Sequence, residues 1–368
     1  MKKLSGFAAL IFAFGLYGDV VQAQESPALF VSRANARIAK TMGFKNKWDG
    51  PTAGPKMAAK PRRIIMITSD MRNPSLMTLQ RGLREAGTVA GWELIVMDTW
   101  SMPNKRADAF SRAQALKPDG IILAGIDAKD TAKEIAAATK ANIPVIGWHA
   151  SLKNGPTDGL FTNIGSDAKE AAQTAALLAV LDSNGKAGVV VFTDTSSLYM
   201  VAKSNEIVDT IKLCQTCSLL GLEEMPVISA NEKMAATVTN LTKTHGKKWT
   251  HTIVVNDLYL DAMTTPAVEK ALGDSKMQGL SAGDGSDSAY KRIRNKKLQL
   301  GTVPEPLQQQ GWQIIDEFNR AFSNEKPSLY MTPVYVVTNQ NMVYHGGTAN
   351  GFDPDNGYRN EYKRIWGK

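Results

Sequence analysis

The sequence predicts an α/β protein built of two doubly wound parallel-sheet lobes, and three observations lead there. From Arg62 onward, short apolar runs rich in β-branched residues alternate with longer amphipathic stretches. That alternation is the signature of parallel strands covered on both faces by helices. The pattern restarts after Asp167, so there are two such runs. The length, 368 residues with 43% hydrophobic and 21% charged, suits two domains and excludes a disordered, collagenous or disulfide-framework chain.

Taken in order, residues 1–23 read as a secretory signal. Lys2 and Lys3 form a positive start, Leu4 to Tyr17 is an uncharged, mostly apolar stretch, and Val21 and Ala23 supply a small-residue cleavage pattern. The mature chain is expected to begin at Gln24 and to be exported, most simply to a bacterial periplasm. No segment approaches the roughly 20 apolar residues that a membrane span needs. Residues 24–61 form an arm, with an amphipathic segment from Pro27 to Met42 and then Trp48-Asp-Gly-Pro-Thr-Ala-Gly-Pro-Lys56, too rich in Gly and Pro for regular structure.

The first lobe opens with the run Ile64–Thr68. Asn73 and Pro74 are a natural helix cap and first helical residue, so a helix is predicted to about Ala90. Strands follow at Glu93–Asp98, Gly120–Leu123 and Ile143–Trp148, with helices at Pro103–Leu116 and Ala128–Lys140. In the second run, strands are expected near Gly188–Phe192, Ser218–Met225, Thr252–Val255, Gly279–Ala282 and Leu300–Val303. Helices are expected near Asp167–Asp182, Tyr199–Lys212, Glu232–His245, Asp261–Leu272, Ser286–Asn295 and Leu307–Phe322.

Cys214 and Cys217, spaced C-x-x-C, are the only cysteines. They follow a helical stretch and precede an apolar run, the reverse of the strand-to-helix setting of a thioredoxin-like pair. No further Cys or His stands near in sequence to complete a zinc site. A structural disulfide in an oxidising compartment is the expected reading.

The formal charge of +8 invites nucleic acid or a membrane surface as partner, but the charge is local. Residues 1–23 carry +1 and residues 24–61 a further +5, leaving about +2 for the body from Arg62 to Lys368. No nucleic-acid partner is expected.

Catalytic signatures are absent. There is no G-x-G-x-x-G after a strand, no G-x-x-x-x-G-K-[ST] and no H-E-x-x-H, the one G-x-S-x-G spacing (Gly279–Gly283) falls within an expected strand rather than at a strand-to-helix elbow, and the four histidines are scattered. Neither an enzyme, nor a cofactor, nor a metal is expected. Ligands of open parallel sheets sit beyond the carboxyl ends of the strands. There the sequence places Ser69, Asp70, Arg72, Asn73, Asp98, Asp127, His149, Asp194, Asn256, Asp257, Asp284 and Glu305. Such a set suits hydrogen bonding to a polyhydroxylated ligand, and Trp148 offers an aromatic face for the apolar side of a ring. For Asp70 and Asp127, capping of the next helix is an equal alternative.

These residues carry a resemblance. Ile65-Met-Ile-Thr-Ser-Asp-Met-Arg-Asn-Pro74 before an amphipathic helix looks like the opening of type I periplasmic solute-binding proteins of ABC importers, in the ribose- and galactose-binding cluster. Pro118-Asp-Gly-Ile-Ile-Leu123, Asn142-Ile-Pro-Val-Ile146, Val255-Asn-Asp257, Gly283-Asp284-Gly285 and Gly301-Thr-Val-Pro-Glu305 follow in the expected order. The match spans about residues 62–340. It implies ligand contacts at Ser69, Asn73 and Ser75, at His149 and Ala150, at Asn256 or Asp257, at Asp284 and at Glu305.

The chain departs from ribose-type members at three places: Ser75-Leu76 and His149-Ala150 stand where those proteins have stacking aromatics and an Asp-Arg pair. Tyr199-Met-Val-Ala-Lys203 stands where they have an Arg. A sugar or sugar-like polyol is the leading ligand, and an amine-bearing or furanone-like ligand would account for the departures.

By the same resemblance the lobes are discontinuous and joined by a three-crossing hinge, near Gly165–Ser166, Glu305–Pro306 and Tyr330–Thr332. Residues 62–165 plus 306–330 are then the first lobe, and 166–305 plus 331–368 the second lobe and tail. The implied role is a monomeric receptor that hands its ligand to ABC permease subunits and meets the membrane only through them. The rival role is presentation of the ligand to a membrane kinase or chemoreceptor. A transcriptional regulator of the same fold would need a helix-turn-helix where the signal segment stands.

Overall fold

The computed structural model describes residues 25–43, 47–346 and 351–368, so the signal segment expected over residues 1–23 lies outside the described residues. The arm begins with α1 (Pro27–Met42), capped by Ser26. One six-stranded sheet contains β1 (Arg63–Thr68), β2 (Glu93–Asp98), β3 (Gly120–Ala124), β4 (Val145–Trp148), β5 (Gly155–Thr157) and β6 (Leu160–Ile164). Its order is β2-β1-β3-β4-β6-β5, parallel except at the β5–β6 edge. Helices α2 (Pro74–Ala90), α3 (Arg106–Ala115) and α4 (Ala132–Lys140) connect its strands.

The second sheet contains β7 (Gly188–Thr193), β8 (Ser218–Glu224), β9 (His251–Val254), β10 (Gln278–Ser281), β11 (Gln299–Thr302) and β12 (Val337–Thr338). Its order is β12-β11-β10-β9-β7-β8, with only β12 antiparallel. Around it lie α5 (Ala168–Asp182), α6 (Leu198–Leu213), α7 (Ala230–His245), α8 (Leu258–Ala262), α9 (Pro266–Leu272) and α10 (Asp287–Arg294). The strands are near-continuous apolar runs because each sheet is covered on both sides. The single helix expected over Asp261–Leu272 is two, α8 and α9. Pro266 has no N–H to continue a helix and instead starts the second one. Cys214 and Cys217 form a disulfide just past the end of α6.

After β11 the chain returns to the first lobe as α11 (Leu307–Phe322), whose Leu307, Trp312, Ile315 and Phe318 are buried with Leu76, Leu79 and Leu83 of α2. Glycines allow that approach. A Cβ on Gly82 would lie 2.3 Å from the Gln308 carbonyl oxygen, and one on Gly311 2.6 Å from the Leu83 nitrogen.

The tail departs from expectation. Residues 331–368 are expected with the second lobe, yet α12 (Tyr358–Trp366) packs on the first. Its Tyr358, Tyr362, Ile365 and Trp366 form a helical stripe with spacings of four, three and one. The stripe covers Trp312, whose ring stacks on Trp366 at 5.4 Å and 9°. The arm crosses in the opposite sense. Phe30, Ala34 and Ile38 of α1 are buried in the second lobe's core with Ala171 and Ala175 of α5. Residues 48–57 then lie on the first lobe, where Trp48 packs against Tyr330 and Tyr362 and the Met57 N–H donates to the Trp366 carbonyl at 3.0 Å.

Candidate functional site

The carboxyl ends of both sheets face one another across a cavity of about 490 Å³. Its first-lobe wall begins at the turn after β1. Asn73 is extended and lines the cavity, and its Oδ1 accepts from the Ser75 N–H at 3.0 Å, which starts α2 and leaves its side-chain NH2 out of the cap. Asp70 accepts from the N–H and guanidinium of Arg72 and from the Ser101 hydroxyl. It is therefore a turn-forming carboxylate as well as a lining residue, and the Arg72 hydrogen bonds hold it below the usual carboxylate range despite burial.

Of the residues expected to bind ligand, Ser69, Asp70, Arg72, Asn73, Ser75, Trp148, His149, Asn256 and Asp284 line the cavity. Two do not. Asp257 is buried and accepts from the Ser286 N–H and the Gln299 amide, so it ties the loop after β10 to β11. Glu305 is 1% exposed and is taken up by a buried hydrogen-bond network. Asp98 and Asp127 act as turn and cap acceptors, for Met71, Trp100 and Lys129 N–H groups.

Glu305 is the centre of a buried network. Its Oε2 accepts from His149 Nε2 at 3.0 Å, Gln310 Nε2 at 3.1 Å and the Ser166 N–H at 3.2 Å. Its Oε1 accepts from the Tyr199 hydroxyl at 3.1 Å and Lys203 Nζ at 3.4 Å. Gln310 also donates to Thr332 Oγ1, which lies 2.8 Å from Ser166 Oγ, and receives Trp148 Nε1–H at 2.7 Å. Ser166, Glu305 and Thr332 belong to the three expected lobe crossings, and one set of hydrogen bonds joins them.

Charge follows from this geometry. Burial alone would raise the Glu305 carboxyl, but His149 and Lys203 with their hydrogen bonds hold it well below its usual value. Burial pushes the His149 imidazole down, against the pull of Glu305. A neutral His149 next to an acceptor-only carboxylate carries its proton on Nε2. The ring is stacked between Trp148, at 3.8 Å, and Tyr199, at 4.0 Å. Trp148 is thus 3% exposed, with one face covered by His149, and is a strut as much as a ligand platform.

Asp284 differs from the other lining carboxylates. It sits at φ +58° in the turn Gly283-Asp284-Gly285. Burial pushes its carboxyl up to about 7, with Asp257 adding to the effect and Lys203 and the Ser75 hydroxyl opposing it. The Ser75 hydroxyl, 2% exposed, makes no hydrogen bond of ordinary length among the described residues. These two groups, one from each lobe, face each other across the cavity.

Sequence reasoning missed Ser101, Arg106, Met200, Val227, Ile228 and Leu258, which also line the cavity. They stand on helices and loops whose facing is set by tertiary packing, and no strand-end rule finds them. Among the described residues there is no cluster of three or more metal-ligating side chains and no helix long and apolar enough to cross a membrane.

Residues 64–326 match a family model described as a periplasmic binding protein domain. A sugar ABC transporter structure from Yersinia enterocolitica superposes with a TM-score of 0.72 at 14% identity, covering 86% of this chain and 99% of that one. An ABC transporter solute-binding protein from Agrobacterium vitis bound with α-D-tagatopyranose gives 0.69 at 16%, covering 79% and 99%. The Caulobacter myo-inositol binding protein bound to myo-inositol gives 0.68 at 18%, covering 78% and 97%. The sequence matches no curated protein significantly. At these identities the structural likeness speaks for the fold.

Proposed function

The chain belongs to the periplasmic binding protein domain family, and on that premise we propose that it is a solute receptor for a small polar ligand, a sugar or sugar-like polyol, delivered to an ABC import permease. The observation that carries this reading is the polar pair from opposite lobes, Ser75 and Asp284, which meet in a cavity between two sheets. Each lobe supplies part of a hydrogen-bonding shell, so ligand bound to both favours the closed arrangement by its differential contacts. Residues 62–165 with 306–330 and residues 166–305 with 331–346 move as the two bodies, pivoting about the Ser166–Glu305–Thr332 network.

The cations that line the cavity are already paired: Arg72 with Asp70, Arg106 with Asp130, and Lys203 with Glu305. A sugar phosphate or sugar acid would find no uncommitted positive charge there, which supports an uncharged ligand. The family also supports a periplasmic location, with residues 1–23 as the export signal, and a role without catalysis.

Titration calorimetry of the mature chain against pentoses, hexoses, inositols and linear polyols tests the proposal. Heat with at least one of them, lost in Asp284→Ala, is the expected result. Silence across the panel overturns it.

A further inference from the structure

The two walls of the cavity are chemically unequal. On the first lobe, Ser69, Asn73 and Ser75 present short polar side chains at the start of α2. The Asn73 carbonyl oxygen is used in capping, but its NH2 remains, and Ser75 Oγ is buried facing Asp284. Asp284 extends this polar surface from below.

The second lobe's wall has polar residues too, but several of their groups are turned to their own backbone and neighbours. Asp194 accepts from the N–H groups of Ser196 and Val227, Asn256 Oδ1 accepts from the Leu258 N–H, and Asp261 is paired with Arg292. Beside Asp284, Asn256 and Asn231, this wall carries an apolar patch: Met200, Val227, Ile228, Val255 and Leu258. This is not spare core. Ile228 is 52% exposed, and Met200, Val227 and Leu258 are each only partly buried, so the lobe's own packing leaves contact surface unused.

A bare sugar ring is polar around its whole edge. Closed against such a patch, the hydroxyls that meet it would be desolvated without partners, at a cost of a few kcal/mol each. An apolar substituent would instead be removed from water against matching surface. The volume of about 490 Å³ also lies within the range of about 300–1,000 Å³ typical of sites for drug-sized ligands.

We propose that the cavity takes an amphiphilic ligand, a polyhydroxylated head held by Ser69, Asn73, Ser75 and Asp284 that carries an apolar group laid on Met200, Val227, Ile228 and Leu258. This rests on the receptor reading above and narrows its ligand class from free sugars to sugars or polyols bearing an apolar substituent.

The test is calorimetric titration of the mature protein with D-glucose and D-galactose and with the methyl and phenyl glycosides of each. A phenyl glycoside is expected to bind at least about tenfold more tightly than its parent sugar, with the methyl glycoside between them. Ile228→Ser, at an exposed position that folding does not need, is expected to remove most of that difference, with far-UV circular dichroism as the check on folding. Parent sugars that bind as tightly as their phenyl glycosides overturn the inference and leave the receptor reading standing. An unchanged preference in Ile228→Ser overturns the placement of the apolar group. No binding by any member of the series overturns this inference, and silence of the wider sugar and polyol panel as well overturns the receptor reading with it.

Discussion

His149 Nε2 and Glu305 Oε2 lie 3.0 Å apart, joining the end of β4 to the strand-to-helix crossing before α11. Nothing near them in sequence announces the pair, which is separated by 156 positions. Through it, the imidazole that borders the cavity is tied to the carboxylate on which the lobe crossings converge. Lys203, 3% exposed, is the buried cation that this carboxylate neutralises.

Removing that charge is therefore expected to be costly. In Glu305→Gln, Lys203 is left buried without a counter-ion, and breaking such a pair costs about 3–5 kcal/mol. Urea denaturation at pH 7.5 measures it. A loss under about 1 kcal/mol would show that the network contributes little. The same network sets an acid response. His149 and Glu305 both have folded-state values below their ordinary ones. The stability they contribute is present above the unfolded-state values and declines as pH falls, first through about 6.5 for His149 and then below about 4.5 for Glu305. His149→Gln is expected to flatten the decline between pH 7 and 5. A decline unaltered by that substitution counts against the assignment.

Asp284 has the opposite sign. Its carboxyl is raised in the folded chain to about 7, so its contribution is fully present below about 3.8 and is lost as pH rises to about 7. Asp284→Asn is expected to match the parent near pH 4 and to be more stable by about 1–3 kcal/mol at pH 8, while losing ligand. Paired denaturation curves at the two pH values check the first part, and calorimetry the second. A variant less stable than the parent at pH 8 would mean the carboxyl is better solvated than its surroundings suggest.

Strand ends were legible because a sheet buried on both faces writes its strands as apolar runs, and the polar residue after each run marks the rim. Asn73-Pro74 was legible for the same local reason, since cap chemistry acts within a few residues. The rule did not distinguish rim carboxylates that face the ligand from those the fold consumes. Asp257 and Asp284 both follow second-lobe strands, yet Asp257 is claimed by Ser286 and Gln299. The stripe of α12 was equally present in the sequence, but a stripe does not say which lobe it covers. Trp312, the surface it fits, lies 46 residues from Tyr358 and becomes available only once α11 has crossed back.

That stripe makes the tail a structural part of the first lobe. A chain ending at Asn356 would expose Trp312, now 0% exposed, and remove Tyr358, Tyr362 and Trp366 from its surroundings. Losing several aromatic contacts, each worth about 3–5 kcal/mol when truncated in a core, exceeds much of an ordinary stability of about 5–15 kcal/mol. The truncated chain is expected to accumulate as insoluble material, while Tyr358→Phe, which keeps the ring, remains soluble. Soluble yield and thermal melting of the two variants measure this. A truncated chain that melts with the parent would detach the tail from the fold's stability.

The arm is expected to act on the hinge from outside. Between α1, buried in the second lobe, and Trp48, packed on Tyr330 beside the third crossing, it links both bodies. The Tyr330 hydroxyl donates to Asp49 and receives the Gln309 amide, so the link reaches the helix that follows the second crossing. Trp48→Ala removes the anchor on the first lobe while leaving α1 in place, at a cost of about 1–3 kcal/mol for a partly buried aromatic. If the arm restrains lobe separation, the variant's radius of gyration in solution scattering without ligand should increase, and proteolysis should cut between Gly43 and Asp49. A radius unchanged from the parent, together with an arm that stays protected, would leave Trp48 as a packing residue of the first lobe alone.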